Sequence, residues 1–121
     1  MTDQPKIYEN LTIIQSIERM LEDGYRPATL KEVWDLRKQR KIPMRGYSTG
    51  TLFLEGEIKD ATIEQLKNIE ETYKTGGRLL YLGGSYDVSL VGYDLNGQFV
   101  GVRAEGASAK ISKPSLEKRL Q

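Results

Sequence analysis

The sequence predicts an α+β domain in which three helices pack on one face of a three- or four-stranded, mainly antiparallel sheet, in the order ααβαβββ. Three observations support this prediction. Apolar residues recur with helical spacing near the N-terminus, two capping boxes open further helical segments, and residues after Arg78 alternate between apolar and polar as in strands. We assign residues 1–105 to this single domain and expect residues 106–121 to form a mobile basic tail.

The first helix is predicted over residues 7–23. Its apolar side chains recur every three or four residues and cover about half of the helix surface. Such a broad face is typical of a helix at the centre of a core, or of one that also contributes to a dimer contact. Gly24 follows as a residue that readily adopts the left-handed conformation in which many helices end. The residues that form the apolar face are Ile7, Leu11, Ile13, Ile14, Ile17, Met20 and Leu21.

The second helix is predicted to begin at Thr29 and to run to about Lys41. The Thr29 hydroxyl can cap the first turn, and Glu32, three residues later, can accept a hydrogen bond from the Thr29 amide. Pro43 disfavours helical geometry at the residue before it and has no amide hydrogen, so the helix should end ahead of it.

The third helix is predicted to begin at Thr62, which Gln65 follows with the same capping spacing. Apolar residues share one face as far as Tyr73, and the pair Gly76 and Gly77 then favours the end of the helix.

Strands are predicted after Arg78. Residues 79–82 form an apolar run, and residues 86–94 alternate. An Asn-Gly pair at 96–97 separates that segment from residues 98–104, and such a pair between strand-like segments is typical of a hairpin. We therefore expect residues 86–94 to pair antiparallel with residues 98–104. Residues 51–54 are a shorter candidate strand that can join the same sheet.

The composition excludes most familiar catalytic sites. The 121 residues contain no cysteine and no histidine, so disulfides, thiolate nucleophiles, Cys-ligated metals and imidazole bases are all absent. We predict no catalytic residue, no metal and no cofactor, and the sequence favours a protein without enzymatic activity. The N-terminus lacks the features of a signal peptide, and the longest apolar run is far too short to span a membrane. We therefore expect a cytoplasmic protein that does not contact membranes.

The charged residues are unevenly distributed. Lys and Arg number 18 and Asp and Glu number 17, a formal net charge of only +1. Residues 36–54 nevertheless contain no acidic residue, whereas residues 55–71 contain six acidic residues and two lysines, and the tail is basic again. The near-neutral total therefore conceals a basic segment that can attract an acidic partner.

This basic segment is the candidate contact surface, for a protein partner or for self-association. Cations in the last turn of a helix also interact favourably with the helix dipole, which is a purely structural interpretation of the same residues. A second structural interpretation pairs Arg37 with Glu70 of the third helix. The candidate surface comprises Trp34, Arg37, Lys38, Arg40, Lys41, Arg45 and Tyr47.

Three functions remain open at this point. The first is a small non-catalytic accessory or interaction module that acts through protein surfaces. The second is nucleic-acid binding, in which the segment 37–45 and the C-terminal tail contact phosphates. The third is phosphate-ligand binding or an enzymatic site at residues 45–51, where glycines, hydroxyls and Arg45 occur together. This segment lacks the lysine of a P-loop, and a turn between a helix and a strand needs the same residues.

Overall fold

The computed structural model describes residues 4–92 and 96–104, and in these ranges it combines a seven-stranded sheet with four helices. In chain order the elements are β1 (Lys6–Thr12), α1 (Ile13–Glu22), β2 (Tyr25–Pro27), α2 (Leu30–Lys38), β3 (Tyr47–Leu54), β4 (Glu57–Asp60), α3 (Ile63–Lys67), α4 (Ile69–Lys74), β5 (Arg78–Leu82), β6 (Val88–Leu90) and β7 (Asn96–Arg103).

The sheet is mixed. Its main strand order is β1-β7-β3-β5-β6, while β2 pairs with β7 and β4 pairs with β3. The pairing of β3 with β7 is parallel, with Ser48 opposite Phe99, and the other pairings are antiparallel. The α+β class is confirmed, but the sheet has more strands than the three or four we predicted, and one pairing differs in direction.

Helices cover both faces of the sheet, so the predicted packing on one face is wrong. One buried cluster joins α1, α3 and α4 to Phe99 and Leu79, and a second joins α2 to Val100 and Leu82. Neighbouring residues of a strand point to opposite faces, which places Phe99 and Val100 on different sides. The central strands are therefore apolar on both faces. The alternation of apolar and polar residues that is expected of a sheet buried on one face does not apply to them.

The predicted first helix is a strand followed by a shorter helix. Residues Lys6–Thr12 pair antiparallel with β7, and α1 begins only after Thr12. The Thr12 hydroxyl accepts a hydrogen bond from the Gln15 amide, and the Gln15 side chain accepts one from Thr12, a capping box that helical periodicity obscured. Asn10, with φ 65°, lies where the β1 register shifts, which breaks strict alternation. Gly24, with φ 80°, ends the helix as predicted.

The other two predicted helices begin where expected and end differently. Both capping boxes, at Thr29 and at Thr62, are formed. The second helix ends at Lys38, three residues earlier than we predicted. The third helix is interrupted at Asn68, whose backbone is not helical, so it forms the two short helices α3 and α4.

The predicted hairpin around Asn96 and Gly97 is wrong, because both residues belong to β7 and β7 pairs with β1, β2 and β3. β6 pairs with β5 instead. A tight hairpin does form between β3 and β4, where Glu55 and Gly56 have φ 54° and 79°, the pattern of a type I′ turn. Residues 93–95 and the predicted mobile tail lie outside the described residues.

β3 pairs with β4, β5 and β7, and at Gly50 it also approaches the backbone of β2 closely. The Gly50 amide donates to the Ala28 carbonyl at 2.8 Å, and its carbonyl accepts from the Ala61 amide at 2.8 Å. A Cβ at this position would lie 2.8 Å from the Pro27 carbonyl oxygen. Glycine is therefore required here by the proximity of the β2 backbone.

We expect Gly50→Ala to lower the free energy of unfolding by about 1–3 kcal/mol, because the methyl group overpacks against backbone atoms that cannot move freely. Gly84→Ala is the matched control, since the nearest atom to its added Cβ is 3.9 Å away. Urea denaturation should find that control within about 0.5 kcal/mol of wild type. Equal stability of the two variants would contradict the close approach at Gly50.

Candidate functional site

The structure divides the seven predicted surface residues into two groups. Arg37 and Tyr47 are buried, with 1% and 0% of their surface exposed, so neither lies on an accessible surface. The other predicted residues are exposed, and the exposed Met44 lies in the same segment. We call the accessible set the basic surface: Trp34, Lys38, Arg40, Lys41, Met44 and Arg45.

The end of α2 determines how three of these cations are displayed. The Arg40 amide donates to the Arg37 carbonyl at 3.0 Å, and the Lys41 amide donates to the Leu36 carbonyl at 2.9 Å. These two hydrogen bonds form a Schellman motif, and Arg40 occupies its left-handed position with φ 59°. Glycine is the usual residue at that position because it has no Cβ. Arg40 is therefore held in a conformation that an arginine adopts at an energetic cost.

Arg37 points inward and connects two loops. Its Nη1 donates to the Arg45 carbonyl at 2.6 Å and to the Gly83 carbonyl at 2.9 Å, and its guanidinium carbon lies 4.3 Å from the centre of the Tyr86 ring. Its Nε and Nη2 have no hydrogen-bond partner among the described residues. The alternative in which Arg37 pairs with Glu70 is wrong, because the Arg37 guanidinium bonds only these two carbonyls within the described chain. Arg37 thus fixes the loop after α2 against the turn between β5 and β6.

Sequence reasoning missed two residues that shape the basic surface. Tyr86 packs between Arg37 and Trp34, with its ring centre 4.4 Å from that of Trp34. Its φ of 68° is unusual for a bulky residue, and no sequence pattern signals it. Met44 is 58% exposed beside Arg45. Together with Trp34, which is 39% exposed, it places apolar area among the cations.

The predicted phosphate loop at residues 45–51 is mostly strand. β3 begins at Tyr47, whose hydroxyl donates to the Pro43 carbonyl at 3.1 Å. Thr49 is buried, and its hydroxyl donates to the Leu80 carbonyl at 2.8 Å. Thr49 and Gly50, two of the residues that suggested a phosphate loop, are thus explained by a central strand in which backbones approach closely.

The cations of the basic surface have few acidic neighbours. Arg45 lies 3.6 Å from the Glu9 carboxylate, while Lys38, Arg40 and Lys41 form no ion pair with any residue that the structure describes. The Tyr47 side chain, and secondarily Glu9, raise the pKa of the Arg45 guanidinium above its ordinary value. The Arg45 guanidinium therefore remains protonated at physiological pH.

Comparisons of the chain with protein-family models, with curated proteins and with solved structures find no match. Within residues 4–92 and 96–104, no cluster of three or more acidic side chains is arranged to hold a metal ion. None of the helices in the described part of the chain has the length and apolar character needed to cross a membrane.

Arg37→Ala should lower the free energy of unfolding by about 3 kcal/mol, because it removes two hydrogen bonds of a charged group and leaves a cavity. The neighbouring Lys38→Ala, which removes an exposed cation, should change stability by less than about 0.5 kcal/mol. Urea denaturation of both variants provides the comparison. If Arg37→Ala were as stable as Lys38→Ala, the buried guanidinium would not be a structural connection.

Proposed function

We propose that the protein is a small non-catalytic interaction module that binds an acidic segment of a protein partner through the basic surface. The observation that supports this most directly is the combination of Lys38, Arg40 and Lys41, none of them ion-paired within the described chain, with the exposed Trp34 and Met44. Tryptophan, methionine and arginine are enriched at protein interfaces. A partner segment with carboxylates around apolar side chains complements both features.

The conformation of Arg40 gives independent support. A residue kept in a strained conformation, where glycine would be more stable, is a frequent property of functional sites. The left-handed backbone at Arg40 directs a charged side chain to the surface at the end of α2. A protein selected for stability alone would favour glycine at this position.

Trp34 is the only tryptophan of the chain, so its fluorescence reports directly on the basic surface. We expect an acidic peptide that contains leucine and phenylalanine to change the Trp34 emission in a saturable manner. Arg40→Glu should weaken this binding at least about tenfold, because it places a like charge against the peptide. Lys74→Glu, the same charge change on α4 at the opposite face of the sheet, should leave the affinity unchanged.

Arg40→Gly separates binding from folding in the same experiment. It removes the cation and relieves the left-handed strain, so peptide binding should weaken while the free energy of unfolding rises by up to about 1 kcal/mol. Undiminished binding by both Arg40 variants would exclude the basic surface as the contact site. Sedimentation of the free protein distinguishes a foreign partner from a second copy of the chain, whose residues 55–71 are rich in acids.

Nucleic-acid binding is the second candidate, and the absence of acidic residues from positions 36–54 favours it. If four exposed cations contact phosphates, the logarithm of the binding constant for duplex DNA should fall with the logarithm of the salt concentration at a slope of about −3 to −4. Titrating the same protein with duplex and single-stranded DNA at matched ionic strength decides between the two candidates. Tighter binding of either nucleic acid than of the acidic peptide would favour this alternative.

A further inference from the structure

A second surface feature lies on the other side of Arg45. A groove of about 550 Å³ opens where β3 and β7 begin and where β5 and β6 end. We call it the polar groove, because five of its lining residues carry hydrogen-bonding side chains: Arg45, Ser48, Tyr81, Ser89 and Gln98. Its volume is within the range of small-molecule sites.

Ser48 is the most informative of these residues. It is only 2% exposed, yet its hydroxyl lines the groove and forms no hydrogen bond with the described part of the chain. The Tyr81 hydroxyl lies on the neighbouring strand, directly opposite in the sheet register, and is also without a partner there. Neither hydroxyl is among the fully buried side-chain atoms that lack a partner in the described chain, so both are open to solvent in the groove, and a ligand there would replace that water.

Two glycines keep these hydroxyls facing the groove. A Cβ at Gly97 would come within 3.0 Å of the Ser48 Oγ, and a Cβ at Gly46 would overlap the Tyr81 hydroxyl. Larger residues at either position would displace the groups that line the site. Gly97, which does not form the predicted hairpin, thus has a role in shaping the groove.

The lining residues indicate the charge of the ligand. Arg45 is the only charged residue among them, and no carboxylate lines the groove within the described ranges. The Arg45 guanidinium is 3.6 Å from the Glu9 carboxylate, which is longer than a charge-assisted hydrogen bond. The Ser48, Tyr81 and Ser89 hydroxyls and the Gln98 amide are further donors, and they come from four different strands or their ends.

We propose that the polar groove binds the phosphate group of a small phosphorylated molecule. Donors that surround a site from several strands match the three oxygens of a phosphate monoester, with the positive charge of Arg45 to balance it. Leu90 and Val91 line the same groove and offer apolar contact to the remainder of the ligand. We propose binding at this groove and not turnover, since the described lining residues include no nucleophile with a neighbouring base.

The test measures binding of inorganic phosphate and of adenosine 5′-monophosphate by calorimetry at constant ionic strength. Wild-type protein should bind both, and the nucleotide more tightly, since only it reaches the apolar wall. The double variant Ser48→Ala/Tyr81→Phe removes two hydroxyls that have no partner in the described chain, so its thermal midpoint should match wild type. Its dissociation constant for each probe should rise at least about tenfold.

Arg40→Glu is the control that separates this site from the basic surface, and it should leave phosphate binding unchanged. If Arg40→Glu abolished phosphate binding while the double variant did not, the anion would be bound at the basic surface and the groove proposal would be overturned. Absence of binding by the wild-type protein, or equal binding by the double variant, would overturn it as well. Binding of the acidic peptide by the double variant shows that the proposed function stands independently.

Discussion

The buried guanidinium of Arg37 is the contact on which both candidate sites depend. It joins the carbonyl of Arg45, which follows α2, to the carbonyl of Gly83, which follows β5, and it lies against the Tyr86 ring. Arg37 has only 1% of its surface exposed, and two of its nitrogens have no hydrogen-bond partner within the described residues, so its burial is destabilising by itself. Two charge-assisted hydrogen bonds and a cation–π contact offset that cost and give the two loops one defined arrangement.

This arrangement explains why the two sites are neighbours. Arg45 is exposed on the basic surface and also lines the polar groove, and its backbone carbonyl is held by Arg37. The Tyr86 ring packs between Arg37 and Trp34, so the position of Arg37 also restricts that of the exposed tryptophan. Both Arg40 and Tyr86 have positive φ angles that L-residues seldom adopt. These two strained residues both lie beside the buried Arg37, and backbone strain of this kind is common near functional sites.

Local signals in the sequence predicted local structure well. The capping boxes at Thr29 and Thr62 and the terminating Gly24 act within a few residues, so their chemistry is readable without a partner segment. Tertiary pairing was not readable in the same way. Residues 7–12 have helical apolar spacing, but pairing with β7 and the irregular Asn10 override it. The Asn-Gly pair at 96–97 suggested a hairpin, whereas the tight turn forms at Glu55–Gly56.

The candidate surface was predictable in charge and only partly in geometry. The gap in acidic residues identified Lys38, Arg40, Lys41 and Arg45, all of which are exposed. The absence of acidic residues did not show that Arg37 is buried. A basic residue on the apolar stripe of a helix can either extend its charged end to the solvent or turn it into the interior. Arg37 binds the Arg45 carbonyl, 8 positions away, and the Gly83 carbonyl and Tyr86 ring, 46 and 49 positions away. Carbonyls carry no sequence signature.

Amide hydrogen exchange of Arg37→Met compared with wild type tests the role of this contact most directly. Under conditions in which both proteins remain folded, an Arg37 connection predicts faster exchange at residues 39–46 and 83–87, with unchanged protection in α1 and in β1. Unchanged exchange in the two loops, or a uniform increase over the whole domain, would contradict the conclusion that Arg37 holds these segments together.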